Sequence, residues 1–242
     1  MHSRIKLSAR FALNGSQLTI LPLLTLIIFA VFVFSLCNAA FNMFIGEKYF
    51  SVIFSLLSLA FFVLITAPAR YKLEIKHLLL ARGCRYLTAK IGFSGIIKSV
   101  IFYSAMFCLK AFWFAVFEAI PVSGAIILYL HISEKSLSAK AAIVFLICIG
   151  VLFAIGIFFY SVFIQRYSKA AFYLACYKDF SAFDAIRESV RKTRDDLLDI
   201  LIMKLGFLPW FLLCFAVVPI LFVIPYYKQS IVLYFIKKSR CR

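Results

Sequence analysis

The chain has 242 residues, 64% of them apolar and only 15% charged, with a mean hydropathy of +1.00. A soluble domain is about half apolar and a quarter charged, so this composition excludes one: a soluble core has no room for so much apolar side chain. The net charge of +17 sits in blocks between apolar runs rather than on one face, which argues against nucleic-acid binding and for the charge bias that orients membrane helices.

Ser3 to Leu13 is short, basic and amphipathic, with Arg4, Lys6 and Arg10 interleaved with Ile5, Leu7 and Phe11. It is expected to lie on the inner membrane surface and to end at Asn14-Gly15. Leu18 to Phe41 predicts a first span without a charge. It is longer than the apolar core of a signal peptide, about 7 to 15 residues, and is read as uncleaved. Tyr49 to Ala67 predicts a second span, closed by Pro68, whose ring disfavours helix in the residue before it. From Arg70 to Lys98 seven Lys and Arg stand against the single Glu74. This segment is expected to be cytoplasmic, with Ile75, Leu78, Leu79 and Leu80 forming an interfacial helix ended by Gly83.

Val100 to Leu130 is the third run, about 46 Å as a helix against a hydrocarbon core of about 30 Å, with Pro121 and Gly124 available to kink or break it. Ala141 to Ile164 predicts the fourth span, carrying Gly150 and Ala154 four residues apart, a spacing that lets helices approach closely. Gln165 to Asp199 is polar. Ser181 with Asp184 marks a helix start, and Phe183, Ile186, Val190 and Leu197 recur at helical spacing, with Glu188 and Lys192 as an i,i+4 pair on the other face. An amphipathic helix on the inner leaflet is expected there.

Asp199 to Lys237 is too long for one crossing, and two crossings with a break near Val217-Val218-Pro219 fit. The fold expected is therefore an all-α polytopic transmembrane bundle, one membrane domain over 1–242. Its six spans are 18–41, 49–67, 100–130, 141–164, 199–217 and 219–236, and its cytoplasmic segments are 1–17, 68–99, 165–198 and 237–242. With both termini inside, the inner segments hold 21 Lys and Arg and the outer loops three, Lys48, Lys135 and Lys140, as the positive-inside rule asks.

Four ionisable residues fall inside apolar runs: Lys110, Glu118, Lys204 and Lys228. Charges at that depth are costly and default to function, so Lys110, Glu118 and Lys228 are candidates for an intramembrane polar site. The competing reading is snorkelling or a polar contact between helices. Lys110 and Glu118 are eight residues apart, about 12 Å along the axis, and cannot pair within one helix. Trp113, Trp210, Tyr226 and Tyr227 are candidates for an aromatic belt. Arg82, Arg85, Arg187, Arg191, Lys192 and Arg194 are candidate contacts for anionic lipid at the inner leaflet.

The seven cysteines form no C-x-x-C pair and are odd in number, and His2, His77 and His131 are scattered. No disulfide framework, metal site or cofactor is expected. The chain carries no Gly-rich phosphate loop, no H-E-x-x-H and no G-x-S-x-G, so it is read as non-enzymatic.

Arg166-Tyr-Ser-Lys-Ala-Ala-Phe-Tyr-Leu174, Ala185-Ile-Arg-Glu-Ser189, Lys204-Leu-Gly-Phe-Leu-Pro-Trp210, Ile224-Pro-Tyr-Tyr227 and Leu233-Tyr-Phe235 resemble the C-terminal half of a family of bacterial multi-span membrane proteins. The family is mostly Gram-positive and is catalogued as a domain of unknown function. Ala12-Leu-Asn-Gly15 and Leu80-Ala-Arg-Gly83 are similar to its pattern too, and the match is best over 166–235. The resemblance implies helical spans in the bacterial cytoplasmic membrane and supplies no reaction, substrate or cofactor. The function expected is a membrane component acting through lipids or an unidentified membrane-protein partner, the alternative being a small transporter or channel subunit that uses Lys110 and Glu118.

Overall fold

The computed structural model describes residues 2–14, 17–44, 48–84, 91–133, 138–177, 179–212 and 217–239. Every regular element among them is helical: α1 (His2–Leu13), α2 (Gln17–Phe44), α3 (Lys48–Ala81), α4 (Phe93–Ser133), α5 (Ala139–Ile164), α6 (Ala170–Cys176), α7 (Ala182–Thr193), α8 (Leu197–Leu205), α9 (Leu208–Leu212) and α10 (Val217–Ser239). Short 3-10 turns, Gln165–Tyr167 and Arg194–Asp196, join α5 to α6 and α7 to α8.

Four of these helices, α2 to α5, are long and apolar enough to cross a membrane. They form two antiparallel hairpins. In the first, Ser58 of α3 donates to Asn38 of α2 at 3.3 Å and the Phe34 and Phe62 rings lie 4.9 Å apart. In the second, Phe114 meets Tyr160 at 5.5 Å and Trp113 meets Phe163 at 4.0 Å. Between 6% and 17% of the residues in their most apolar windows are buried by protein. The uncovered Leu, Ile and Phe side chains therefore need lipid around them. An open apolar crevice of about 450 Å³ between α2 and α3, lined by residues such as Leu26, Phe29, Val33, Leu57 and Phe61, has the same character.

At 34 and 41 residues, α3 and α4 measure about 51 and 62 Å, so each outruns a hydrocarbon core of about 30 Å. The surplus is the end of α3 and the start of α4, and there the packed core lies. Ile5 of α1, Tyr71 and Leu78 of α3, Phe102 and Met106 of α4, Leu174 of α6, Ile186 of α7, Ile200 and Met203 of α8, and Ile231 to Phe235 of α10 form one buried cluster. Each fully buried Leu, Ile or Phe contributes about 1.5–3 kcal/mol. The molecule is thus a helical head carrying two sparsely covered hairpins, and both α1 and the end of α10 belong to the head.

Several boundaries differ from the sequence reading. Pro68 does not close the second span: α3 runs through it to Ala81. Proline in a helix interior costs about 3 kcal/mol, but Ala67 just before it and Ala69, Tyr71, Leu73, His77, Leu78 and Leu80 beyond are all buried, and that packing outweighs the lost bond. The expected interfacial helix is therefore the end of α3, inside the head. It does stop at Gly83, at φ 82, where Cys84 N–H reaches the Leu79 carbonyl at 2.9 Å. Likewise α4 starts at Phe93 and passes Pro121 and Gly124 unbroken.

The stretch expected as a span over 199–217 is interrupted at Gly206-Phe207. A continuing helix would use the Gly206 carbonyl as an acceptor, but that carbonyl takes the Lys6 ammonium at 2.9 Å instead, and Pro209 opens the next turn as a residue without an N–H to lose. The chain does double back afterwards, as α10 returns antiparallel to α8. Phe207 meets Tyr226 and Tyr227 at 5.4 and 5.3 Å, and Lys238 bonds Asp196 and Asp199 at 3.0 and 3.3 Å. α10 starts at Val217 and runs through Val218 and Pro219, so the expected break does not fall within those three residues; residues 213–216 lie outside the described residues.

The polar segment after α5 folds into the head. Ser181 and Asp184 form the expected capping box at the start of α7. Ile186 is buried, but Phe183 is 64% exposed, and Glu188 pairs with Arg191 at 2.7 Å rather than with Lys192. The buried face is made by Ala182, Ala185, Ile186, Ser189 and Thr193, because small residues let α7 approach its neighbours and Phe183 falls outside that arc. The first helix also differs: Ile5, Ala9 and Leu13 face protein, so α1 rests on α10, leaving Leu7 and Phe11 exposed.

A buried cation ties α6 to the base of α8. Lys169 is 2% exposed and donates to Asp196 at 2.6 Å and to the Lys192 carbonyl at 3.0 Å. Burial pushes the Asp196 carboxyl up, but the bonds from Lys169 and Lys238 outweigh it and hold it below its ordinary value. Lys238 is raised by its bonds to Asp196 and Asp199. A lowered carboxyl stabilises the fold above its unfolded value and loses that contribution as pH falls through the folded one; a raised amine does so as pH rises through its folded value. Thermal unfolding followed by circular dichroism in neutral detergent should therefore be flat with respect to these groups between about pH 5 and 9 and decline below about pH 4. Asp196→Asn should remove that acid limb. An unchanged acid limb in Asp196→Asn would show that the lock is not what titrates.

Candidate functional site: a cationic junction between head and hairpins

Arg70, Glu74 and His77 lie at i, i+4 and i+7 of α3, on one helical face. Glu74 pairs with Lys228 of α10. One residue on, the Gln229 side-chain oxygen lies 2.8 Å from His77 Nδ1, both residues being fully buried. His77 Nε2 and Gln229 Nε2 are buried without a hydrogen-bond partner among the described residues. Arg70 stands 6.0 Å from the centres of both the Phe62 and Tyr103 rings.

Two further amines converge on this pair. Lys110 of α4 is exposed and lies within Coulombic reach of Lys228 and Arg70. Lys204 of α8 lies within reach of Lys228 and Lys110, and its ammonium donates to Gln165, the residue that ends α5. Gln165 is itself anchored by its amide on the Ser161 carbonyl at 3.0 Å. Neither Lys110 nor Lys204 has a carboxylate among its electrostatic partners in the described residues. Four cations thus share one carboxylate. Like charges brought together repel, so the junction is held together against its own field by the surrounding packing.

Of the candidates named from sequence, Lys110 and Lys228 come together here and Glu118 does not. Glu118 sits eight residues further along α4, 1% exposed, with both carboxyl oxygens unpartnered among the described residues. It packs on Gly156 of α5, where an added Cβ would lie 2.7 Å from Glu118 Oε1 and 3.0 Å from the Phe117 carbonyl. The close helix approach is therefore at Gly156. The expected small pair falls elsewhere: a Cβ at Gly150 would meet nothing within 4 Å.

Arg70, Glu74, His77, Lys204, Gln165 and Gln229 are the members the sequence reading left out of the site. The i, i+4, i+7 spacing on α3 is the available signal, passed over when the segment after Pro68 is read as an interfacial helix by its apolar residues alone. Of the aromatic-belt candidates, Trp113 donates to the Tyr167 hydroxyl at 3.0 Å beside the end of α5, and Tyr226 and Tyr227 pack on Phe207. The candidate lipid contacts Arg82, Arg187, Arg191, Lys192 and Arg194 are exposed, with Arg82 3.4 Å from the Cys176 sulfur; Arg85 lies outside the described residues. Among the described residues no three His, Cys, Asp or Glu side chains gather as metal ligands would.

Comparison with protein-family models, curated proteins and solved structures finds no match to this chain. Its chemistry has to be argued from these side chains.

The Glu74–Lys228 pair is the compensating element of the junction. Glu74→Gln removes the junction's one carboxylate among the described residues and should destabilise the protein by about 1–3 kcal/mol. That is less than a fully buried pair, because the Lys228 side chain is 38% exposed. The double variant Glu74→Gln/Lys228→Gln should recover part of the loss. Unfolding midpoints in detergent for the four members of the cycle decide this; strictly additive losses would mean that the two groups are not coupled.

Proposed function

We propose that the chain is a non-enzymatic, multi-pass component of a bacterial cytoplasmic membrane that seats its helical head on the inner leaflet and acts through anionic lipids or a membrane-protein partner. The observation that carries this reading is the exposed face of α7. Phe183, Arg187 and Arg191, at i, i+4 and i+8, point away from the buried face of the helix, with Arg194 following within the same arc of about 80°. An apolar side chain flanked by guanidinium groups on one exposed stripe fits an anionic membrane surface, where each basic residue contributes about 1 kcal/mol.

The charge asymmetry supports placing the head in the cytoplasm, since Lys48 opens α3 and Lys140 lies in the first turn of α5, both at the far ends of the hairpins. We count the two hairpins as four crossings; α8 belongs to the head, and α9 with the apolar first half of α10, about 12 residues a side between Lys204 and Lys228, dips into the membrane and doubles back without crossing. Both termini then face the cytoplasm. The resemblance noted in the sequence supports the bacterial assignment. Lys110 and Glu118 occupy separate surroundings, so the transporter reading built on that pair is not carried forward.

Two measurements test this. In intact cells an impermeant maleimide should leave Cys84 and Cys176 unlabelled until the membrane is opened; labelling of either from outside would invert the orientation. In protein purified by gentle solubilisation, Arg187→Gln/Arg191→Gln/Arg194→Gln should retain clearly less phosphatidylglycerol than the parent chain, while Lys140→Gln should retain as much. Equal retention in all three would remove α7 as a lipid-binding face.

A further inference from the structure

The junction carries more than a surface preference for anionic lipid. We propose that Arg70, Lys110, Lys204 and Lys228 form a binding site for a phosphate group, contributed by α3, α4, α8 and α10 where the head meets the hairpins. The proposal deepens the reading of the chain as a lipid-associated membrane component and rests on it for the placement of this level near the head groups.

Four cations arrive from four different helices, and the one carboxylate in the group, Glu74, is already paired with Lys228. Lys110 makes no hydrogen bond or ion pair among the described residues, and its electrostatic partners are both cations. Lys204 is held by a neutral amide, Gln165, and not by an acid. Like charges brought together by folding repel unless something of opposite sign lies among them, and here the protein supplies too little of it.

The missing partner is an anion with several oxygens. A single carboxylate presents two oxygens to at most a pair of these groups, whereas a phosphate presents three or more and can accept from ammonium and guanidinium groups on different helices at once. Basic pockets between helices at a membrane surface bind lipid phosphates by this chemistry. Access is open, because Lys110 is exposed and the Lys228 side chain is 38% exposed. Gln229, next to Lys228, keeps a buried amide nitrogen without an acceptor among the described residues. The same chemistry is offered by a lipid head group and by free phosphate, so the source is a matter for the test.

The full chain in a neutral detergent, at constant ionic strength, is titrated with dihexanoyl phosphatidic acid, with inorganic phosphate and with dihexanoyl phosphatidylcholine, reading the unfolding midpoint. A saturable rise with phosphatidic acid and none with phosphatidylcholine is expected. An equal rise with inorganic phosphate identifies a free phosphate as the ligand, and a rise with phosphatidic acid alone identifies a lipid head group; either supports the site. Lys110→Met/Lys204→Met should weaken the response about ten-fold, the loss of charged hydrogen bonds, and Lys110→Arg/Lys204→Arg should retain it. If the double variant does not fold, Lys110→Met alone decides, since Lys110 makes no bond that the fold depends on. A response as strong in Lys110→Met as in the parent chain, or one equal for phosphatidylcholine, overturns the proposal. The titration does not involve a bilayer or α7, so its failure leaves the α7 reading standing, and failure of the α7 variants leaves this site standing.

Discussion

Burial is confined to one end of this molecule, and most of its other features follow from that. Long helices in the hairpins satisfy their backbone groups internally, but α2 and α5 and the distal parts of α3 and α4 have few protein neighbours. Beyond the hairpins α3 and α4 continue into a region where α1, α6, α7, α8 and α10 close around them. Lipid has to cover the hairpins, and packing holds the head. Without the head, two hairpins in contact mainly with themselves would have little to set their relative position.

This arrangement explains why the ionisable groups concentrate where they do. The head consists of amphipathic segments whose small and aliphatic residues point inward, so its cations, apart from the buried Lys169 and Lys76, are pushed to the outside, as on α7, or to the boundary with the hairpins. At that boundary the chain concentrates Arg70, Lys110, Lys204 and Lys228 around Glu74. The neighbouring lock, Lys169 with Asp196, is different in kind: a buried cation with its own carboxylate, plus a backbone carbonyl, is satisfied within the fold. The contrast between the closed pair and the open cluster separates a structural ion pair from a binding site.

Glu118 illustrates the limit of reading function from a charge in an apolar run. Its position on α4 is intramembrane in character, but its surroundings are Gly156 and the backbone of its own helix. The glycine leaves the space in which the carboxyl is packed. Spacing along the chain already separated it from Lys110, and only the neighbouring helix showed what it packs against, Gly156 of α5.

The amino-acid sequence by itself determined that the chain is helical and apolar enough to enter a membrane, roughly where four membrane-length helices lie, that Ser181 with Asp184 starts a helix and that Gly83 ends one. These are local properties: hydrophobic run length, capping chemistry and a positive φ depend on residues close in sequence. The tertiary structure alone decided that Pro68 and Pro121 do not break their helices, that Gly206 does, and that residues from α3, α4, α8 and α10 meet in one junction. Those outcomes turn on competition between a local penalty of a few kcal/mol and contacts between different helices, from about 40 to 200 positions apart. Spacing within one segment carries no record of such contacts.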